Sequence, residues 1–94
     1  DNIYIQAKKW KTPVGRPMVQ GFVGAMQGKK SRKGIMITTS TFTKHAVEYV
    51  SKIDIKVALI DGDTLTDLMI EHKIGVSTKE NYEIKEIDID YFIE

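Results

Sequence analysis

Ile35-Met36-Ile37-Thr38-Thr39 and Val57-Ala58-Leu59-Ile60 are the two stretches whose reading decides the fold. Both are apolar runs without polar alternation, the pattern of strands buried on both faces, which implies parallel strands covered by helices. Between them, Ser40 to Thr43 offers hydroxyls to cap a helix whose apolar side is Ala46, Val47, Tyr49 and Val50. After the second run, Asp61-Gly62-Asp63 turns into a helix carrying Leu65, Leu68, Met69 and Ile70. Upstream, Ile3-Tyr4-Ile5 are strong strand formers leading into Gln6-Ala7-Lys8. Strand spacing places Gln6 and Lys8 on one face. Lys9 to Arg16 is a basic turn, and Pro17 sits where a first helical residue belongs. Val19, Phe22, Val23 and Met26 then repeat at the spacing of an amphipathic helix that stops at Gly28. The expected order is strand, helix, strand, helix, strand, helix, a three-layer α/β arrangement. The tail, with Tyr82, Ile84, Ile87 and Ile89 among charged residues, is expected to form an exposed edge strand.

Ninety-four residues make one small domain, residues 1–94, with room for a single core. Cysteine is absent, which excludes disulfide staples, thiolate zinc sites and a cysteine nucleophile and fits a reducing cytoplasm. No apolar run approaches the length of a membrane span, so no membrane partner is expected. The chain starts without Met and enters a strand pattern within two residues, as expected of a piece of a longer protein. Its net charge of +1 hides an asymmetry: residues 1–33 carry eight lysines and arginines against Asp1 alone, whereas residues 34–94 carry six against twelve acids. A basic front half suggests a polyanion, nucleic acid first.

Gln6-Ala7-Lys8, followed by Lys9-Trp10-Lys11, is the sharpest local feature. A lysine two residues after an oxygen-bearing side chain places an ammonium beside a potential metal ligand. Phosphodiester hydrolysis needs that pairing, because the charge developing on phosphate must be neutralised. Taken by itself the triplet is a weak signal, since a polar-small-Lys pattern is most often a solvated strand face.

Residue identity over a longer span goes further. Ile3 to Trp10, Val14-Gly15-Arg16-Pro17, Val19 to Ala25, Ile37-Thr38-Thr39-Ser40 and Leu59-Ile60-Asp61-Gly62 resemble the catalytic domain of Mrr-like type IV restriction endonucleases, from the first residue to about Phe92. That family belongs to the PD-(D/E)xK nucleases, with Gln replacing the second acid. The resemblance implies a restriction-endonuclease-like three-layer α/β/α domain with a mixed central sheet, here without its N-terminal strands. It also implies Mg²⁺-dependent cleavage of double-stranded, methylated DNA. Gln6 takes the second metal-ligand position, Lys8 that of the catalytic lysine, and the Ala7 carbonyl lies near the metal. Gln20, on the helix after the lysine strand, is a secondary site candidate. The principal Asp of the pattern lies on a preceding strand, and Asp1, five residues before Gln6 on the same strand, does not replace it. The resemblance therefore implies a nuclease in the parent protein and a 94-residue chain inactive by itself. The alternative is a non-catalytic DNA-binding module that keeps the nuclease fold, and a small signalling or protein-interaction domain ranks third.

Lys9, Trp10, Lys11, Arg16, Lys29, Lys30 and Arg32 are the candidate DNA contacts. Trp10 between two lysines suits a groove wall, where aromatic and basic side chains serve stacking and phosphate contact together. The lysine- and arginine-rich loop after the first helix would neutralise phosphates without reading sequence. Because that loop and Lys9–Arg16 flank one helix, they are expected at opposite ends of it. His45 and His72 lack partners at metal spacing, Asp61-Gly62-Asp63 lacks further acids at calcium-loop spacing, and Ser40 lacks a nucleophile frame. A strand from Ile3 to Lys8 without its neighbours would leave a sheet edge open, so self-association as a homodimer through that edge is expected.

Overall fold

A computed structural model describes residues 2–73 and 87–93. It contains β1 (Ile3–Lys9), α1 (Arg16–Gly28), β2 (Lys33–Thr38), α2 (Lys44–Lys52), β3 (Lys56–Ile60), α3 (Gly62–Glu71) and β4 (Ile87–Ile93). The strands form one sheet in the order β3-β2-β1-β4. All three pairings are parallel, with Gln6 opposite Met36 on one side and Asp90 on the other.

This corrects two expectations. The sheet is not mixed: every pairing among the described strands is parallel, and α1 and α2 each carry the chain back to the same end of the sheet. The edge beside β1 is not open either, since β4 pairs along the whole of Ile3–Lys9. β1 is a central strand, and the dimer expected through its edge loses its basis. β4 is itself an edge strand, as the alternating tail suggested, while Tyr82 and Ile84 lie outside the described residues.

Alternation along β1 and β2 builds the principal core. Tyr4, Gln6, Gly34, Met36 and Thr38 are buried on one face, and α1 lays Val19, Phe22, Val23 and Met26 against it. The Tyr4 and Phe22 rings lie 5.4 Å apart. Gly34 sits in a tight place: a Cβ there would stand 2.4 Å from Met26 Sδ and 2.9 Å from the Phe22 ring, and both buried side chains would have to shift. Its missing side chain lets α1 approach the sheet and bury both residues. Ala46 of α2 completes the core, with Tyr49, Val50, Val57 and Leu59 packed around it. The other face of β1 and β2, carrying Ile3, Ile5, Ile35 and Ile37, is half-buried. α3 contributes nothing to the principal core and packs against β2. Ile70, expected on the apolar side of α3, is 70% exposed because it falls one residue beyond the Leu65, Leu68, Met69 stripe.

The helix starts follow their local chemistry. Pro17 occupies the first turn of α1, and the helix ends at Gly28 as its sequence suggests. Thr43 caps α2 by accepting from the Ala46 N–H at 3.2 Å. Thr43→Ala should therefore cost about 1 kcal/mol of stability, read as a lower denaturation midpoint by circular dichroism. Asp61 caps α3, with its Oδ1 accepting from the Thr64 N–H at 2.8 Å. That bond and the Thr64 hydroxyl hold the Asp61 carboxyl below its ordinary range, so the cap stays charged until the pH falls beneath it.

Candidate active site

The C-terminal end of a parallel sheet is where open α/β folds place their ligands, because the loops leaving the strands there diverge around a crevice. In this chain that end gathers Lys8 and Lys9 from β1, Thr38 at the end of β2 with Thr39 and Ser40 beyond it, and Asp61 and Gly62 after β3. Its backbone is tied together. The Thr39 N–H donates to the Lys8 carbonyl at 3.2 Å, the Trp10 N–H donates to Thr39 Oγ1 at 3.1 Å, and the Thr39 hydroxyl donates to the Trp10 carbonyl at 3.3 Å. The Gly62 N–H donates to the Ser40 carbonyl at 2.9 Å. A Cβ on Gly62 would lie 2.4 Å from the Thr39 carbonyl oxygen, so only glycine permits this approach.

The basic loop between β1 and α1 is pinned as well. Fully buried Val14 forms a parallel bridge with Phe42; its N–H donates to the Thr41 carbonyl at 2.7 Å and its carbonyl accepts from the Thr43 N–H at 2.9 Å. Lys9, Lys11 and Arg16 are exposed around this anchor, at the same end of the sheet as Lys8.

Lys8 shares its strand face with buried Tyr4 and Gln6. Its ammonium nitrogen sits 4.2 Å from the centre of the Trp10 ring. A cation over an indole face is attracted by the ring quadrupole, by about 0.5–1 kcal/mol at an accessible site. Trp10 also packs against the edge of the core. The tryptophan thus does two things: it covers apolar surface and restrains the lysine. Reading Trp10 as a groove wall does not disclose its contact with Lys8, although a spacing of two on a strand end is compatible with it.

The remaining candidates are dispersed. Gln20 is exposed on the flank of α1, about 100° round the helix from buried Val19. Lys29, Lys30 and Arg32 are exposed in the turn after α1, next to the N-terminal end of β2. β1 spans seven residues, so the two basic segments are separated by about 20 Å at 3.3 Å per residue. The two-ended arrangement expected from the sequence is the one observed.

A cleft of about 330 Å³ beside this end is not apparent from the sequence. Thr39, Ser40, Thr41, Gly62, Asp63 and Thr66 line it with hydroxyls and the first turn of α3. The run of hydroxyl residues Thr38 to Thr41 is the available signal, but in sequence it has the look of helix-capping material.

Gln6 and Ala7 do not by themselves make a divalent-cation site. A hard cation takes six or more oxygen ligands with carboxylates among them. Gln6 supplies a neutral amide, and it is 9% exposed. Lys8 directs its carbonyl to β2, so the alternation of a parallel ladder turns the Ala7 backbone towards β4. Among the described residues no group of three or more His, Asp or Glu converges.

The family model Mrr_cat, described as restriction endonuclease, matches residues 1–69. This chain belongs to that family. The match takes in β1 to β3 and most of α3, and with them Gln6, Ala7, Lys8 and Gln20. A relative in Escherichia coli strain K12, the type IV methyl-directed restriction enzyme EcoKMrr, is 42% identical over 92 residues, which cover 98% of this chain. The chain spans 30% of the length of that relative. No solved structure matches it. Among the described residues no helix is long and apolar enough to cross a membrane.

Proposed function

We propose that this chain is the catalytic domain of a restriction endonuclease that hydrolyses phosphodiesters of double-stranded, methylated DNA in a Mg²⁺-dependent reaction. The observation that carries the reading is the placing of Lys8. It stands at the C-terminal end of a central parallel strand, on the face it shares with Gln6, with its ammonium held over Trp10. In this reading Lys8 neutralises the charge that develops on the scissile phosphate, and a fixed cation is most effective where its surroundings have already oriented it. Trp10 positions Lys8, while Lys9, Lys11 and Arg16 contact flanking phosphates. The duplex is methylated by analogy with the relative, whose name describes it as methyl-directed.

Carboxylate ligands for Mg²⁺ come, in this proposal, from outside the described residues. In this proposal the principal carboxylate lies outside the 94 residues, and the 94-residue chain alone is inactive. The test is a nicking assay on methylated plasmid DNA with the full-length protein and with the 94-residue chain, each with Mg²⁺ or with chelator. Cleavage by the full-length protein alone, and only with Mg²⁺, supports the reading. Binding of DNA without cleavage under all conditions would instead support a non-catalytic DNA-binding module.

A further inference from the structure

The N-terminal end of the sheet carries a second basic site that the chemistry at Lys8 does not use. Lys30, Arg32, Lys33 and Lys56, with Asn2 and Asp54, line a cavity of about 370 Å³. Among the described residues four basic side chains and one carboxylate line it. They come from two separate connections, the turn after α1 and the start of β3, so the cluster is a product of folding and not of one lysine-rich run.

Register places Lys33 directly beside Lys56 on neighbouring strands, which concentrates the charge at this end of the sheet. Two further features show that the fold tolerates a cost here. Lys30 holds the left-handed conformation, with φ of 58°, where glycine or asparagine would be less strained. Ser31, between Lys30 and Arg32, is 4% exposed, and its hydroxyl has no hydrogen-bond partner among the described residues. A concentration of positive charge retained against such costs is the footprint of a polyanion.

We infer that this cluster is a second phosphate-backbone contact, engaged by the same DNA duplex that the proposed function places at Lys8. The inference rests on that reading for the identity of the polyanion. The separation fits, since the roughly 20 Å between the two ends of β1 equals about six steps of 3.4 Å along one strand of a duplex. Contacts of this kind carry no sequence information and set register and affinity.

Salt dependence measures the contact independently of cleavage. A fluorescein-labelled 30-base-pair duplex is titrated with the full-length protein in chelator, from 50 to 200 mM NaCl, and followed by anisotropy. The variant Lys30→Gln/Arg32→Gln/Lys56→Gln should lower the slope of log affinity against log salt by about 2–3, at roughly 0.9 for each phosphate that is no longer neutralised. Two controls should keep the wild-type slope: the charge-preserving Lys30→Arg/Lys56→Arg, and Lys44→Gln/Lys52→Gln on α2. An unchanged slope in the triple variant overturns the inference, as does an equal fall in either control. Inorganic phosphate at constant ionic strength distinguishes a site for small phosphates: binding of millimolar phosphate to wild type but not to the triple variant, with the duplex slope the same in both, would also overturn it. Lys8-dependent cleavage with an unchanged slope sinks this inference alone, whereas a full-length protein that binds no duplex sinks it together with the proposed function.

Discussion

Lys8→Ala in the full-length protein should lower the rate of DNA cleavage about 10²- to 10³-fold, the usual effect of deleting one preorganised electrostatic group at a developing oxyanion. Duplex affinity should change little, because Lys8 is one cation among many and a single phosphate contact carries a small share of binding. The fold should survive as well. Lys8 lies at the end of β1, outside the buried core, and its cation–π attraction to Trp10 is about 0.5–1 kcal/mol. Trp10→Leu offers a finer comparison. It keeps an apolar cover for the core edge while removing the ring that restrains the ammonium, so it should depress the rate less than Lys8→Ala and leave stability nearly unchanged.

Phe22→Ala should destabilise the domain by about 3–5 kcal/mol, a large part of the 5–15 kcal/mol that separates a domain of this kind from its unfolded state. Phe22 is 1% exposed and lies at the centre of the contact between α1 and the sheet, touching Tyr4 and closing over Gly34. Gly34 leaves no side chain to move into the vacated volume, so the cavity term is expected in full. Urea denaturation of the variant should show a midpoint far below wild type. A loss under 1 kcal/mol would mean that α1 does not close over β2 at Gly34.

The sequence carried some parts of this structure and withheld others, for identifiable reasons. Local signals suffice where one segment determines its own state. The Val19, Phe22, Val23, Met26 repeat, Pro17 and Gly28 mark α1 almost to the residue. Unbroken apolar runs identify β2 and β3 as parallel strands, and Asp61 is legible as a cap; the expected burial on both faces fails for β3, an edge strand on which Ala58 is exposed and no residue is fully buried. Pairing between distant segments is not written in either partner. Nothing in Ile3–Lys9 announces that β4 lies alongside it, and the family resemblance pointed to a mixed sheet with a different neighbour there. β2 begins two residues earlier than its apolar run because Lys33 pairs with Ile3 and Lys56 whatever its own polarity.

The site divides the same way. Gln6 and Lys8 are legible as a pair because strand alternation alone puts them on one face. The lodging of the Lys8 ammonium over Trp10 depends on how the β1 end is held to Thr39, a contact 29 residues away in sequence. The gathering of Lys33 and Lys56 with Lys30 and Arg32 likewise needs the register of β2 against β3. Charge counting finds a basic front half but has no means to recruit Lys56 from the acidic half.

One measurement bears most directly on the central claim, that the Lys8 end of β1 is where a phosphodiester is broken. It is single-turnover cleavage of a labelled methylated duplex by the full-length protein with Mg²⁺, at DNA concentrations that saturate wild type and Lys8→Ala alike. Wild type should cut, and Lys8→Ala should hold a bound but essentially uncut duplex. Equal cleavage by the two proteins at equal occupancy would contradict the claim.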